Sequence, residues 1–584
     1  MRATSRLALL LALPSLLDAQ RPSRPAGGTP PTTPTTGQRG APPAAADSGG
    51  LPASALSAFR FRNIGPATYS GRIGDIAVHP NKKTWYVGVA SGGVWKTENA
   101  GVTWSSIFDG QASYSIGALT LDPNDPNTIW VGTGENNAQR SVSYGDGVYK
   151  SEDGGRTWRN VGLRESEHIA KIVVDPRDSK VVYVAAQGPL WSGGGERGLY
   201  KTTDGGETWT KVLSGTTWAG VTDITLDPRN PDIILAATWQ RHRHFFGYLA
   251  SGPESGLHRS TDAGRTWKAI SGVPSGEGRI GLARAPSEPS VVYAILEGAQ
   301  NRGGTYRSDD GGVSWRRQGA FQTIGLYYQE IFVDPKNADR VYAMDVRVQV
   351  SNDAGRTFAN LGEDGKHVDN HALWADPDDP DHLLIGSDGG LYETFDGGRT
   401  YRFNANLPLA QFYKIDVGRD APFATVCGGT QDNYSFCGPI RTNNDNGIRN
   451  SDWFVTNGGD GFQSRIDPVD HHVIYAESQN GGLVRFDRRN GESVRIVPEP
   501  AIGEDPARWN WDSPVLISPH NRRRLYFASQ RVYRSDNRGD AWTPVSPDLT
   551  RNLSRPTLKF QGRLWSVDAV SRNTSTAYYG NVSA

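Results

Sequence analysis

The stretch "YKSEDGGRTW" (residues 149–158) recurs as "YKTTDGGETW" (200–209), and further copies lie on both sides. These are "WKTENAGVTW" (95–104), "HRSTDAGRTW" (258–267), "YRSDDGGVSW" (306–315), "VSNDAGRTF" (350–358), "YETFDGGRTY" (392–401) and "YRSDNRGDAW" (533–542). Each residue type in the pattern has a structural task. The Asp carboxylate (Asp153, Asp204, Asp262, Asp310) accepts backbone N–H bonds inside a turn, Gly tolerates positive φ there, and the aromatic residue packs between neighbouring sheets. The copies therefore read as staples of a repeat and not as a catalytic motif.

Ahead of each copy runs a second mark, such as "LTLDPNDPNTIWVGTG", "IVVDPRDSKVVYVAA" and "LWADPDDPDHLLIGSD". Each is an apolar strand, an Asp-Pro turn and a second apolar strand. With one strand before and one after the stapled turn, every unit supplies four strands, which is one propeller blade. The expected fold is all-β, a β-propeller of about ten four-stranded blades. Seven consecutive units carry the staple, and after Tyr401 the pattern weakens. Two closures remain open: a seven-bladed propeller plus a partial second one, which is preferred, or a single ten-bladed ring. The end of the chain, "WSVDAVSRNTSTAYYGNVSA", reads as the start of an eleventh unit.

Composition agrees with many short strands and tight turns: 584 residues include 69 Gly, 17 Trp and 22 Tyr. Lys plus Arg equals Asp plus Glu at 62 each. That balance argues against nucleic acid or an anionic membrane as partner. The start, "MRATSRLALLLALPSLLDAQ", reads as a signal peptide over 1–19. Residues 20–57, rich in Pro, Thr and Ala, read as a disordered linker. Residues 58–408 are then the first propeller, and 409–584 are blades eight to ten with an incomplete further blade. No later run is apolar enough to span a membrane, so the expected location is secreted or periplasmic. The two cysteines, Cys427 and Cys437, close a short loop. In an oxidising compartment a disulfide there contributes on the order of 3 kcal/mol by the loop-entropy model. Without a CxxC pairing, no zinc site and no other cofactor is expected.

The stapled turns and the Asp-Pro turns fall on one face of a propeller, so a site is expected on the other. His367, Asp369 and His371 alternate in "HVDNHALWADP" and, on an extended strand, face the channel together. The top loops add Arg72, Asp388, Gln431, Asp432, Asn433, Asp460, Gln479, Asn480, Trp509, Trp511 and Asp512. Carboxylates beside exposed indoles suit a sugar. A divalent cation at His367, Asp369 and His371, or a hydrogen-bonded plug, remains an alternative. "WQRHRHFFGYLASG" (239–252) reads as an exposed recognition loop. Glu135, Asn136, Glu167 and His168 are also expected at the mouth.

The stapled turn resembles the Asp box of sialidases and sortilin-type receptors. From residue 59 onward the motifs "GGTQDN", "NGGDGF", "ESQNGG" and "RWNWDSPVLISPHN" resemble the secreted bacterial BNR-repeat proteins of the sortilin N-terminal (Vps10-like) or glycosyl hydrolase propeller family. Double-propeller xyloglucanases are similar in organisation; the resemblance implies one catalytic Asp in the first-blade loop and a second at Asp432. Here the first-blade loop reads "GVASGGVW", with Ala90 and Ser91 where the first Asp is expected. The leading expectation is an extracytoplasmic ligand-binding propeller that recognises a peptide or glycan, with envelope proteins as further partners. The alternative is a glycoside hydrolase using Asp432 and Asp460.

Overall fold

The computed structural model describes residues 61–570 and 580–583, so the expected signal peptide and linker lie outside the described residues. Ten four-stranded antiparallel sheets follow one another along the chain, each in simple up-and-down order. They span 73–106, 116–162, 169–214, 219–269, 280–319, 331–360, 370–403, 412–457, 461–495 and 515–544, here called blades one to ten. Blade four carries an inserted hairpin, His242–His244 with Gly247–Leu249. Among the described residues no helix is long and apolar enough to cross a membrane.

Each sheet is covered on both faces by its neighbours, so its second strand loses the polar-apolar alternation of a half-exposed strand. Trp85–Val89, Ile129–Thr133 and Val292–Leu296 are buried at every position. A glycine in that strand sets the stacking distance. A Cβ on Gly88 would lie 2.8 Å from the Ile116 side chain of the next blade, and one on Gly132 would lie 2.3 Å from Ile169. The same contact recurs between Gly386 of blade seven and Ile73 of blade one, at 2.6 Å. Ile73, Ile76 and Trp85 share one apolar cluster with Ala372, Leu384 and Leu391. Blade seven thus stacks on blade one and a seven-bladed ring closes. Blades eight, nine and ten stack separately, with Ile466 and Ile474 against the blade-eight cysteines and Tyr475 against Val515 and Phe527. The ten-bladed alternative is not the arrangement adopted.

The staples work locally, as the repeat implies. Asp153 Oδ1 accepts bonds from the Arg156 and Thr157 backbone N–H, both at 2.9 Å, and from Ser151 Oγ at 2.8 Å. Trp158 then donates through Nε1 to the Ile107 carbonyl of blade one at 2.7 Å, and Trp209 likewise to Val161 of blade two at 2.8 Å. Cys427 and Cys437 face each other on adjacent strands and are bonded.

Two expectations about loops are corrected. The "WQRHRHFFGYLASG" segment is not an exposed loop: Arg241 and Arg243 are 1 % exposed and His242 is 6 % exposed. Their guanidinium groups donate to the carbonyls of Asn137, Gly188 and Ala138. The segment is covered by residues 558–570, which include the start of the expected eleventh unit (565–584), whose residues 571–579 and 584 lie outside the described residues. Residues 558–570 form no strand; Phe560 instead inserts beside Phe246 and Leu249, and Ala250 N–H donates to the Val570 carbonyl. That stretch leaves blade ten, grips the blade-four hairpin and is followed by Val582, whose N–H donates back to Ser529 of blade ten.

Candidate active site

The first strand of each blade runs from an entry end to an exit end. At the exit ends, Pro176, Pro228 and Pro335 of the Asp-Pro turns and Pro286 of the corresponding Ala-Pro turn rim a mainly apolar channel of about 530 Å³. The polar residues gather at the entry ends, where the chain crosses from one blade to the next.

Arg72, just before the first strand of blade one, is the hub. Its Nε and Nη2 grip Asp388 of blade seven at 2.7 and 3.3 Å, and Nη1 meets Glu135 of blade two at 2.7 Å. Nη2 also donates to Tyr327 OH, and Asp432 of blade eight stands 3.8 Å away. The side chains of Arg72 and Asp388 are each 1 % exposed. Burial alone would push the Asp388 carboxyl up, but Arg72 and His371 outweigh it and hold the group well below the ordinary carboxylate range. His371 Nε2 approaches Asp388 Oδ1 to 2.8 Å.

On the far side of this cage lies a cavity of about 100 Å³, walled by Arg140, Tyr328, Asp369, Asp432, Asp460 and Trp511 among others. Asp432 and Asp460 come from the "GGTQDN" and "NGGDGF" turns of blade eight and its crossing into blade nine. The Asp432 N–H donates to Asp460 Oδ1 at 2.9 Å, which sets the two acids side by side. Gln431 Nε2 donates to Asp432 Oδ2 at 2.6 Å, and Gln479 Oε1 accepts from the Asp460 N–H at 2.8 Å. Burial, then the neighbouring Asp460 and Asp388, pushes Asp432 well above its ordinary value. Burial raises Asp460 as well. Ionising either of two neighbouring buried carboxyls makes the other harder to ionise. Asp432 keeps 20 % of its side chain exposed, so it is the member that reaches the cavity contents.

Several expected site residues are placed differently from the expectation. His367, Asp369 and His371 do not share a face, because the strand begins only at Asn370 and Asp369 has φ +61°. His367 turns back to the Val368 carbonyl at 2.7 Å, His371 joins Asp388, and Asp369 accepts a bond from Tyr328 OH. Trp509 is blade core, stacked on Phe527 with ring centroids 4.5 Å apart. Trp511 does line the cavity, but it is 6 % exposed and the Arg140 guanidinium covers its ring at 4.4 Å. Asn433 is a structural clamp whose Nδ2 donates to the carbonyls of Ser70, Asp388 and Gln431. Asn510 and Asp512 are buried behind Trp511, with Asp512 paired to Lys414 at 2.6 Å.

Sequence reasoning missed Arg140, Tyr327 and Tyr328. The aromatic doublet in "GLYYQE" at a blade crossing was the available signal. Glu135 is at the mouth as expected, and Ala90 is fully buried beside Arg72, so the first-blade loop offers no carboxylate. Among the described residues no three or more His, Cys, Asp or Glu side chains are placed to hold a metal ion.

Comparison with known proteins agrees with a propeller of this kind. Residues 146–249 match the model of the sortilin family, described as sortilin, neurotensin receptor 3. A xyloglucanase of Hypocrea jecorina is 26 % identical over 310 residues, covering 47 % of this chain and 35 % of that protein. A probable oligoxyloglucan-reducing end-specific xyloglucanase of Neosartorya fischeri is 22 % identical over 475 residues, covering 72 % of this chain and 51 % of that one. The chain therefore spans between about a third and a half of these relatives' lengths. Among solved structures, the GH74 xyloglucanase of Xanthomonas campestris superposes with a TM-score of 0.50 at 16 % identity, covering 82 % of this chain and 80 % of that one. This last likeness bears on the fold alone.

Proposed function

We propose that the protein is an extracytoplasmic glycoside hydrolase module acting on a polysaccharide of the xyloglucan type, with Asp432 as its proton donor. The observation that carries the reading is the Asp432–Asp460 pair. Burial and the neighbouring acids push Asp432 upward on the wall of a cavity, the direction a glycosidase needs in the group that protonates a leaving-group oxygen. Similarity to xyloglucanases over 47 % and 72 % of the chain supports the substrate class. In this reading residues 58–408 form the seven-bladed propeller and 409–584 contribute the second wall.

One observation favours the binding-only reading: the first-blade loop has Ala90 and Ser91 and no acid. A peptide- or glycan-binding propeller, with envelope proteins as partners, is its consequence. The two readings separate in one assay. Reducing ends released from xyloglucan and a panel of other plant and bacterial polysaccharides are measured for the wild type and for Asp432→Asn. Hydrolysis lost by two or more orders of magnitude in Asp432→Asn is expected; saturable binding with no turnover in the wild type would refute the hydrolase.

A further inference from the structure

If Asp432 supplies the proton, hydrolysis still needs a group on the other side of the cavity to activate water. The carboxylates lining the cavity are Asp369, Asp432 and Asp460. Two of these, Asp432 and Asp460, stand side by side on the blade-eight and blade-nine wall. Glu135 and Asp388 are near, but both side chains are at most 2 % exposed and bound to Arg72. Asp369 is what blade seven presents.

We propose that Asp369 is the general base of this site: it takes a proton from a water in the cavity as the water oxygen attacks the anomeric carbon. The glycosidic C–O bond breaks, Asp432 gives its proton to the departing oxygen, and the sum is hydrolysis with inversion. The inference rests on the hydrolase reading above.

Three features of Asp369 support the role. First, it forms no ion pair within 4.0 Å among the described residues, unlike Asp388. Its one side-chain partner here is Tyr328 OH, which orients the carboxylate and leaves the other oxygen for water. Second, a left-handed φ at a non-glycine residue persists only where the surroundings impose it. Here the Asp369 N–H is tied to the Val346 carbonyl at 2.8 Å, and its own carbonyl accepts the Asp388 N–H at 3.0 Å. Without that turn the side chain would follow the strand alternation toward His371 and Asp388. Third, the cavity holds about 100 Å³, where about 10–15 Å³ suffices for one water. Burial and the neighbouring Asp388 raise Asp369 above its ordinary value, while Asp432 stands well above its own; the acid and base are thus separated in the direction the chemistry needs.

The test uses the full chain with two substrates, the polysaccharide and an oligosaccharide of it carrying a 2,4-dinitrophenyl leaving group that departs without acid assistance. Asp369→Asn, which keeps an acceptor for Tyr328, is expected to lower kcat on both substrates by about 10²–10⁴-fold with little change in KM. Asp432→Asn should lose polysaccharide turnover yet keep the dinitrophenyl reaction. Azide added to Asp369→Ala, or to Asp369→Ser if the amide variant does not fold, should restore turnover and yield the glycosyl azide of inverted configuration. Wild-type kcat in Asp369→Asn overturns the inference and leaves the hydrolase standing, as does a loss that azide cannot rescue and that spares neither substrate in either variant. A wild type inactive on every polysaccharide overturns both.

Discussion

Removing the Arg72 guanidinium, as in Arg72→Met, tests whether one buried cation holds the blade entries together. The guanidinium is bound to Asp388 and Glu135, with side-chain exposures of 1 % and 2 %. Taking the partner away from a buried pair costs about 3–5 kcal/mol, because the remaining acid is stranded in a medium that solvates it poorly. Unfolding entropy of about 2 cal/mol/K per residue gives roughly 0.7 kcal/mol/K for a ring of roughly 330 residues, so the melting temperature should fall by about 4–7 °C. The effect also has a pH signature. In the wild type Asp388 titrates below its unfolded value of about 3.9, so its contribution is complete above that pH and is lost as pH falls through the folded value. In Arg72→Met burial is opposed mainly by His371 and should lift Asp388 above the unfolded value. The variant is then relatively stable while that acid is protonated and loses stability as pH rises. The gap between the two proteins should be wide at pH 8 and narrower at pH 5, read by differential scanning calorimetry. A loss under about 1 kcal/mol, or an equal gap at both pH values, would refute the argument, since an uncompensated buried acid requires both.

Ring closure makes a separate prediction. Gly386→Ala drives a methyl to within 2.6 Å of Ile73 and should cost about 1–3 kcal/mol in urea unfolding, with much of the loss recovered in the double variant Gly386→Ala/Ile73→Val. The staples should matter to stability and not to chemistry: Asp153→Ala should lower the thermal midpoint and leave hydrolysis of the accepted polysaccharide unchanged. Because hydrogen bonds from Thr157 hold Asp153 down to about 2, its stabilisation should be present above about 3.9 and fade only as pH drops through about 2.

The blades were legible because their information is local. A turn of Ser, Asp, Gly and Thr satisfies its own backbone within seven residues, as in Ser151–Thr157, so every copy announces itself whatever surrounds it. The site was legible only in part because its contacts are not local. Arg72 meets partners 63, 255 and 316 residues away, and nothing in "SGRIGD" distinguishes such an arginine from a solvated one. The indoles failed for a different reason. Trp509 and Trp511 share a face only on a strand, but "RWNWDSP" is irregular chain, and the two rings diverge into the blade core and the cavity wall. Asp369 was named for the wrong geometry: a single positive φ swings it off the strand that the alternation assumed.

The distribution of charge separates a working site from a plug. A plug made of buried polar groups is stable when each charge is paired, and Arg72 with Asp388, Glu135 and His371 meets that condition. A few ångströms further on the pairing stops. Asp369 and Asp460 form no ion pair within 4.0 Å among the described residues, and Asp432 has Arg72 at 3.8 Å. Among the described residues Arg140 is the one cation that lines their cavity; its guanidinium stacks on Trp511 and bonds Gln139 Oε1, and it acts on Asp460 through space without a contact ion pair. Leaving acids unneutralised beside a cavity lowers stability, and packing the cavity with apolar side chains of the same volume would remove that cost. The expense is understandable if the acids must exchange protons with something that enters, which returns the weight of the argument to Asp369 and Asp432 on the wall of one cavity.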